Sequence, residues 1–162
     1  MRNLKRASRK AIAKAFLTHV RPILEYCPTV WHPNQIGFTN DFEIVQRRAV
    51  HWVYLNFGRD FSPSLALQNL KWSTLHHRRE FFFKVMMYKL HYDIPSLRDL
   101  SEALRPPTYM CRNDHQFKID PPRFRTNVGF YSPVGVGVRL WNLLDKYFFM
   151  MAYPVSTHLR TN

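Results

Sequence analysis

The chain has 162 residues with 24 Lys and Arg against 11 Asp and Glu, a formal net charge of +13, and a hydrophobic fraction of 46%. That apolar content excludes a disordered polar chain, since burial on this scale offsets the entropy of ordering, and the length fits one domain burying about 70% of its unfolded surface. The charge favours a polyanionic partner, whereas the longest apolar run, residues 147–153, is far short of the ~20 residues that a membrane-spanning helix needs.

Six cations, Arg2, Lys5, Arg6, Arg9, Lys10 and Lys14, precede any acid. They lead into an amphipathic pattern that predicts a first helix from Ala7 to Leu24, with Ile12, Phe16, Val20, Ile23 and Leu24 on its core side. Lys10, Lys14 and Arg21 fall on the opposite side. Pro22 lacks a backbone donor and disfavours helical geometry at Arg21, so a kink or break is expected there. The start has no unbroken apolar stretch of the signal-peptide kind, although an amphipathic, acid-poor N-terminus also has the form of a mitochondrial presequence.

Pro28, Pro33 and Gly37 mark a loop anchored by Trp31. The Asn40–Glu43 spacing is that of a capping box, which predicts a second helix from Asn40 with Phe42, Val45, Ala49, Trp52 and Val53 inside and Arg47, Arg48 and His51 outside. A short helix follows Pro63, around Leu65 to Leu70. Ser73 or Thr74 then caps a long helix reaching Tyr92 that carries Arg78, Arg79, Lys84 and Lys89, and its apolar middle marks it as the most buried helix. Beyond Pro95 the chain is loop-rich, with a short strand or hairpin expected at His115 to Ile119 and a final helix at Val134 to Leu144, where Val138, Trp141 and Leu144 face inward. The fold class read from this pattern is mainly α: a helical bundle over residues 1–94, followed by a Pro-rich extension over 95–162 packed on it as one folding unit.

Motifs of catalysis are missing. No Gly-x-Ser-x-Gly elbow, phosphate-binding Gly-rich loop or His-Glu-x-x-His pair occurs. The adjacent His76 and His77 diverge by about 100° on a helix, which is poor metal geometry. Cys27, near His19 and His32, leaves a nucleophile or partial zinc site formally open without a defined fourth ligand or orienting acid, and both it and Cys111 read as small buried hydrophobes in a reduced intracellular setting. Trp31, Trp52, Trp72 and Trp141 read as core residues.

Five blocks carry a resemblance: Ala15 to Pro33 (AFLTHVRPILEYCPTVWHP), Ile44 to Ala49 (IVQRRA), Leu70 to Arg79 (LKWSTLHHRR), Tyr88 to Leu90 (YKL) and Arg139 to Leu143 (RLWNL). In order and rough spacing this set resembles the region downstream of the polymerase core in reverse transcriptases of non-LTR, LINE-type retrotransposons of the jockey-like group. The resemblance implies a thumb-like helical module with a C-terminal extension that grips template and primer. It does not extend to the RNA-directed DNA polymerase chemistry of that family, because no Asp-Asp pair is present to hold two metal ions, and the endonuclease is also missing. His76 and His77 stand where the family has acids, and the Gly-rich Ser132 to Val138 stands where it has a basic, β-branched helix start.

The expected function is therefore non-catalytic, with no cofactor, metal or small-molecule substrate and no membrane. RNA, DNA or an RNA–DNA hybrid would be bound without sequence preference through Lys5, Arg6, Arg9, Lys10, Lys14, Arg47, Arg48, Arg78 and Arg79, in the nucleus or cytoplasm. The alternatives are a protein–protein interaction module, packing for instance against a separately encoded polymerase core, and a non-functional remnant of a truncated mobile element.

Overall fold

A computed structural model describes residues 7–91, 104–112 and 114–145. The described chain is mainly helical: α1 (Arg9–Ala15), a π-helical turn (Phe16–Val20), α2 (Arg21–Leu24), α3 (Ile36–Tyr54), α4 (Pro63–Asn69), α5 (Leu75–His91), α6 (Asn127–Phe130) and α7 (Pro133–Asn142). It divides into two compact units, residues 1–82 and 83–162. The boundary falls inside α5.

In the first unit, α1 begins where the Ser8 hydroxyl accepts the Ala11 N–H at 3.3 Å. The predicted first helix is continuous as far as Leu24 but not uniform. A proline ring inside an α-helix collides with the carbonyl four residues back, here that of Thr18. The chain absorbs the conflict upstream of Pro22 by widening into the π-helical turn, closed by the Arg21 N–H on the Phe16 carbonyl. The wider turn rotates everything downstream, so Ile23, expected in the core stripe, is 72% exposed while Ile12 and Phe16 are buried.

α3 begins at Ile36, four residues before the expected capping box, behind Gln35, which makes no side-chain cap. Asn40 consequently lies inside the helix. Gln46, Ala49, Val50 and Val53 form its buried stripe, whereas Phe42, Val45 and Trp52 are half-buried flanks. Val50 joins Ala66 and Leu67 of α4 in a core that Tyr54, Phe61, Leu70 and Trp72 border. The helix α4 ends in a left-handed residue, Lys71 (φ 55°), and the Trp72 N–H closes on the Leu67 carbonyl at 2.9 Å. That reversal lays Trp72 against Phe16, the rings stacked with centroids 5.1 Å apart.

Thr74 caps α5 as expected, its hydroxyl accepting the His77 N–H at 3.2 Å. Leu75, Arg79, Phe83, Met87 and Leu90 form a single buried stripe, and Phe81 is 60% exposed. The helix is therefore not apolar all round. α7 is the more enclosed element, with Gly135, Val136, Gly137, Val138 and Trp141 all buried.

The second unit packs Met87 and Leu90 with Ile119, Val138 and Trp141. No strand forms at His115 to Ile119; among the described residues β pairing is limited to one antiparallel bridge, Arg105 with Asp120. Side chains of α7 satisfy this segment instead. The Trp141 indole donates to the Phe117 carbonyl at 2.7 Å, and the Asn142 amide both accepts the Ile119 N–H and donates to the Ile119 carbonyl at 3.0 and 2.8 Å. An imidazole N–H of His115 donates to the Trp141 carbonyl at 3.0 Å. Backbone groups that would have formed a hairpin ladder are thus taken by one helix end.

Gly135 and Gly137, weak helix formers, have different roles. A Cβ at Gly135 would lie 2.6 Å from the Phe130 carbonyl oxygen, a fixed backbone atom, whereas a Cβ at Gly137 meets the movable ends of Met86 and Met87. Gly135→Ala is therefore expected to destabilise the second unit by about 1–3 kcal/mol, overriding the ~1 kcal/mol gained in helix propensity. Gly137→Ala is expected to lie closer to wild type, and thermal denaturation of the two variants side by side checks that order.

Candidate nucleic-acid interface

Arg9, Lys10 and Lys14 are all exposed on α1, whose first turn contains no acid. Lys10 and Lys14 stand one turn apart, opposite Ile12 and Phe16, so both ammonium groups face solvent. Positive side chains at a helix N-terminus add to the positive end of the helix dipole, which concentrates potential there instead of dispersing it. Arg9 lies nearer the core side, with its guanidinium 5.5 Å from the centre of the Tyr54 ring. Lys5 and Arg6 lie outside the described residues.

Arg47 and Arg48 are exposed on α3, a helix that packs with α1. Arg47 donates to the Glu43 carbonyl at 3.4 Å. None of these five cations forms an ion pair among the described residues. His51 does not share their role. Its Nδ1–H donates to the Asn56 carbonyl at 2.8 Å, and its ring contacts those of Phe57 and Phe61.

Arg78 and Arg79, expected on the same basic surface, are taken up by the fold. Arg78 grips the Glu25 carboxylate through Nε and through Nη2, the latter at 2.9 Å, and Arg21 holds the same carboxylate at 2.9 Å. Arg79 is 1% exposed. Its guanidinium donates to the Leu24 carbonyl at 3.1 Å and lies 4.1 Å from the Phe42 ring centre and 5.3 Å from that of Trp31. A delocalised, weakly hydrated cation is suited to such an aromatic slot. Arg79 is thus buried and Arg78 is paired with a carboxylate, so neither stands with the unpaired, solvent-facing cations of α1 and α3.

The sequence pattern carries no signal for the role of Glu25 and assigns Glu43 to its own helix. Glu25 is the only acid before Asp41. Burial raises its pKa, but hydrogen bonds from Arg78 and Arg21 outweigh that and hold the carboxyl below the ordinary carboxylate range. Glu43, expected to cap its own helix, instead accepts the His76 N–H at 2.9 Å and so caps α5. The buried Gln46 amide donates to the Ser73 carbonyl at 2.9 Å, securing the turn that precedes α5.

Trp31 is 40% exposed rather than core, with its indole N–H on the Tyr26 carbonyl and its ring against Phe42. Cys27 and Cys111 are free and exposed, not buried. His76 sits beside Glu80 and His32, and among the described residues no cluster of three or more His, Cys, Asp or Glu side chains is placed to hold a metal ion. Nor is any described helix long and apolar enough to cross a membrane. No family model, no curated protein and no solved structure matches the chain.

Two expected outcomes separate structural from solvent-facing cations. A group with a depressed folded-state pKa stabilises above its unfolded pKa and loses that contribution as pH falls through the folded one. Stability of the first unit is therefore expected to decline as pH drops below about 4.3, and Glu25→Gln both flattens that decline and costs about 2 kcal/mol at neutral pH, as read from urea titrations across pH. Arg79→Ala is expected to lower the urea midpoint severely, while Arg48→Ala leaves it within about 0.5 kcal/mol of wild type.

Proposed function

We propose that this chain is a non-catalytic nucleic-acid-binding module of the kind that the thumb and C-terminal region of a LINE-type reverse transcriptase would form, acting in the nucleus or cytoplasm. The observation that carries the reading is the exposure of Arg9, Lys10, Lys14, Arg47 and Arg48 on two packed helices without an ion-pair partner among the described residues. Cations held on rigid elements at net charge +13 repel one another, and neutralising phosphates with release of counterions relieves that repulsion. Such contacts position a duplex without reading its bases. RNA, DNA and their hybrid are all suitable ligands, with a gripping role for the module and the polymerase chemistry residing elsewhere.

A second reading draws on a different observation. From α2 to the first turn of α3, Ile23, Tyr26, Val30, Trp31, Ile36 and Phe38 are all exposed, at 40% to 79%. Large apolar residues gathered in one short segment suit a protein partner, and a separately encoded polymerase core fits the family resemblance.

The deciding measurement is the affinity of the purified chain for an RNA–DNA hybrid across a salt series. A steep log–log slope is expected, and Lys10→Glu with Lys14→Glu should flatten it by about 0.9 for each phosphate no longer neutralised, with circular dichroism unchanged. Weak binding that the double variant leaves unaltered would refute the nucleic-acid reading and leave the protein-partner one.

A further inference from the structure

The second unit carries a basic and aromatic surface that the binding face of α1 and α3 does not use. Arg105, Asp120, Pro121, Pro122 and Arg123 line a cleft of about 540 Å3. This is within the ~300–1,000 Å3 of sites that enclose a small molecule, a size for one nucleotide and not for a duplex. The cleft is anchored in the fold: the Asp120 N–H donates to the Arg105 carbonyl at 2.9 Å, and the adjoining Ile119 is held by both polar atoms of the Asn142 amide. From that fixed backbone the side chains of Arg105 and Arg123 extend into solvent.

Next to Arg123 stands Phe124, packed against glycine backbone. Phe124 lies so close to the backbone of Gly129 and Gly135 that an added Cβ would fall 2.7 and 2.9 Å from its ring atoms. The ring is nevertheless 37% exposed, and Arg125 beyond it is exposed too. A part-exposed aromatic residue held against glycine backbone can offer a stacking surface, and two arginines flank it in sequence.

We propose that this cleft and ring bind single-stranded nucleic acid: Arg105 and Arg123 receive a backbone phosphate, and an unpaired base stacks on Phe124. Base–aromatic stacking is available only where bases are not already paired, so the site prefers a single strand to a duplex. Asp120 supplies the acceptor in the cleft, matched to an amino group on a base edge or to a ribose hydroxyl. The carboxylate also disfavours a run of phosphates that brings charge without donors. This surface belongs to the second unit and Lys10 and Lys14 to the first, so it stands or falls independently of the duplex-binding reading.

The test measures binding of the full chain to unstructured oligo(U) and oligo(dT) of about twelve nucleotides, to the hybrid duplex, and to polyphosphate, which has charge but no bases. Replacing Arg105 and Arg123 together with Ala is expected to weaken oligonucleotide binding about tenfold and to flatten its salt slope by about 0.7 for each phosphate released. Phe124→Ala should weaken it about tenfold and leave polyphosphate binding unchanged, with Phe124→Trp restoring the loss. Lys10→Glu with Lys14→Glu should reduce hybrid binding more than oligonucleotide binding. Stronger oligo(U) than oligo(dT) binding, abolished by Asp120→Ala, which removes the acceptor, would extend the proposal to the ribose hydroxyl. The arginine pair decides the proposal even if the Phe124 variants fold poorly, because both side chains face solvent. Oligonucleotide binding that the Arg105 and Arg123 double variant leaves intact would overturn it, as would an equal loss of polyphosphate binding in a folded Phe124→Ala chain.

Discussion

The last carbonyls of a helix have no partners in their own element, and α2 ends with Leu24 and Glu25 in that position. The Leu24 carbonyl finds its donor more than fifty residues further along the chain, in Arg79 one turn into α5, and the adjacent Arg78 takes the side-chain carboxylate of Glu25. Other polar ties of the first unit gather about this clamp. Arg21 shares the carboxylate, Glu43 caps the helix from which the arginines project, and Gln46 holds the turn before it. Trp31 and Phe42 close over the buried guanidinium. A cation left in that slot without its carbonyl and its rings would be far costlier than the pairing is stabilising, because burial of an unpaired charge is the larger quantity. The clamp thus specifies one arrangement of α2, α3 and the start of α5 more strongly than it lowers the energy of that arrangement.

The same clamp bears on the outer surface. With 11 acids against 24 Lys and Arg, any carboxylate used internally is one fewer to neutralise the exterior. Glu25 and Glu43 are engaged inside the first unit, and in the second Asp114 is occupied by Lys118 at 2.6 Å and by the Cys111 N–H at 2.7 Å. The exposed cations of α1 and α3 therefore meet solvent with few acids near them. The two proposed ligand classes differ because their surfaces differ: bare cations on helix backs suit a continuous phosphate backbone, and paired arginines beside a glycine-backed ring suit an unstacked base.

Helix existence was legible in the sequence wherever apolar spacing and a local stop signal agreed, as for α4 after Pro63 and α5 after Thr74. What failed was anything fixed by a distant partner. The Asn40–Glu43 spacing has the form of a capping box, but Glu43 finds its N–H group on another helix, and no local pattern records that. The expected strand at His115 to Ile119 was lost because side chains of Trp141 and Asn142 satisfied its backbone first. Arg79 is a different case. It occupies the i+4 position between Leu75 and Phe83 in an otherwise apolar stripe, so its burial was written in the periodicity and was obscured only by its charge. Ile23 leaves the core side because the helical period is not uniform between Phe16 and Pro22.

That last departure reaches further than one residue. A π-helical turn amounts to one residue more than α geometry requires, and each residue of an α-helix turns the chain by about 100°. The segment Phe16–Val20 accordingly acts as an angular offset between α1, upstream, and the Leu24 end held by Arg79. With that end fixed, the compass direction of Lys10 and Lys14 is set by a proline ring two to three turns away. A single-residue deletion within Phe16–Val20 would remove the extra residue together with the wide turn, and so return the Pro22 ring to a regular helix in which it collides with the carbonyl four residues back.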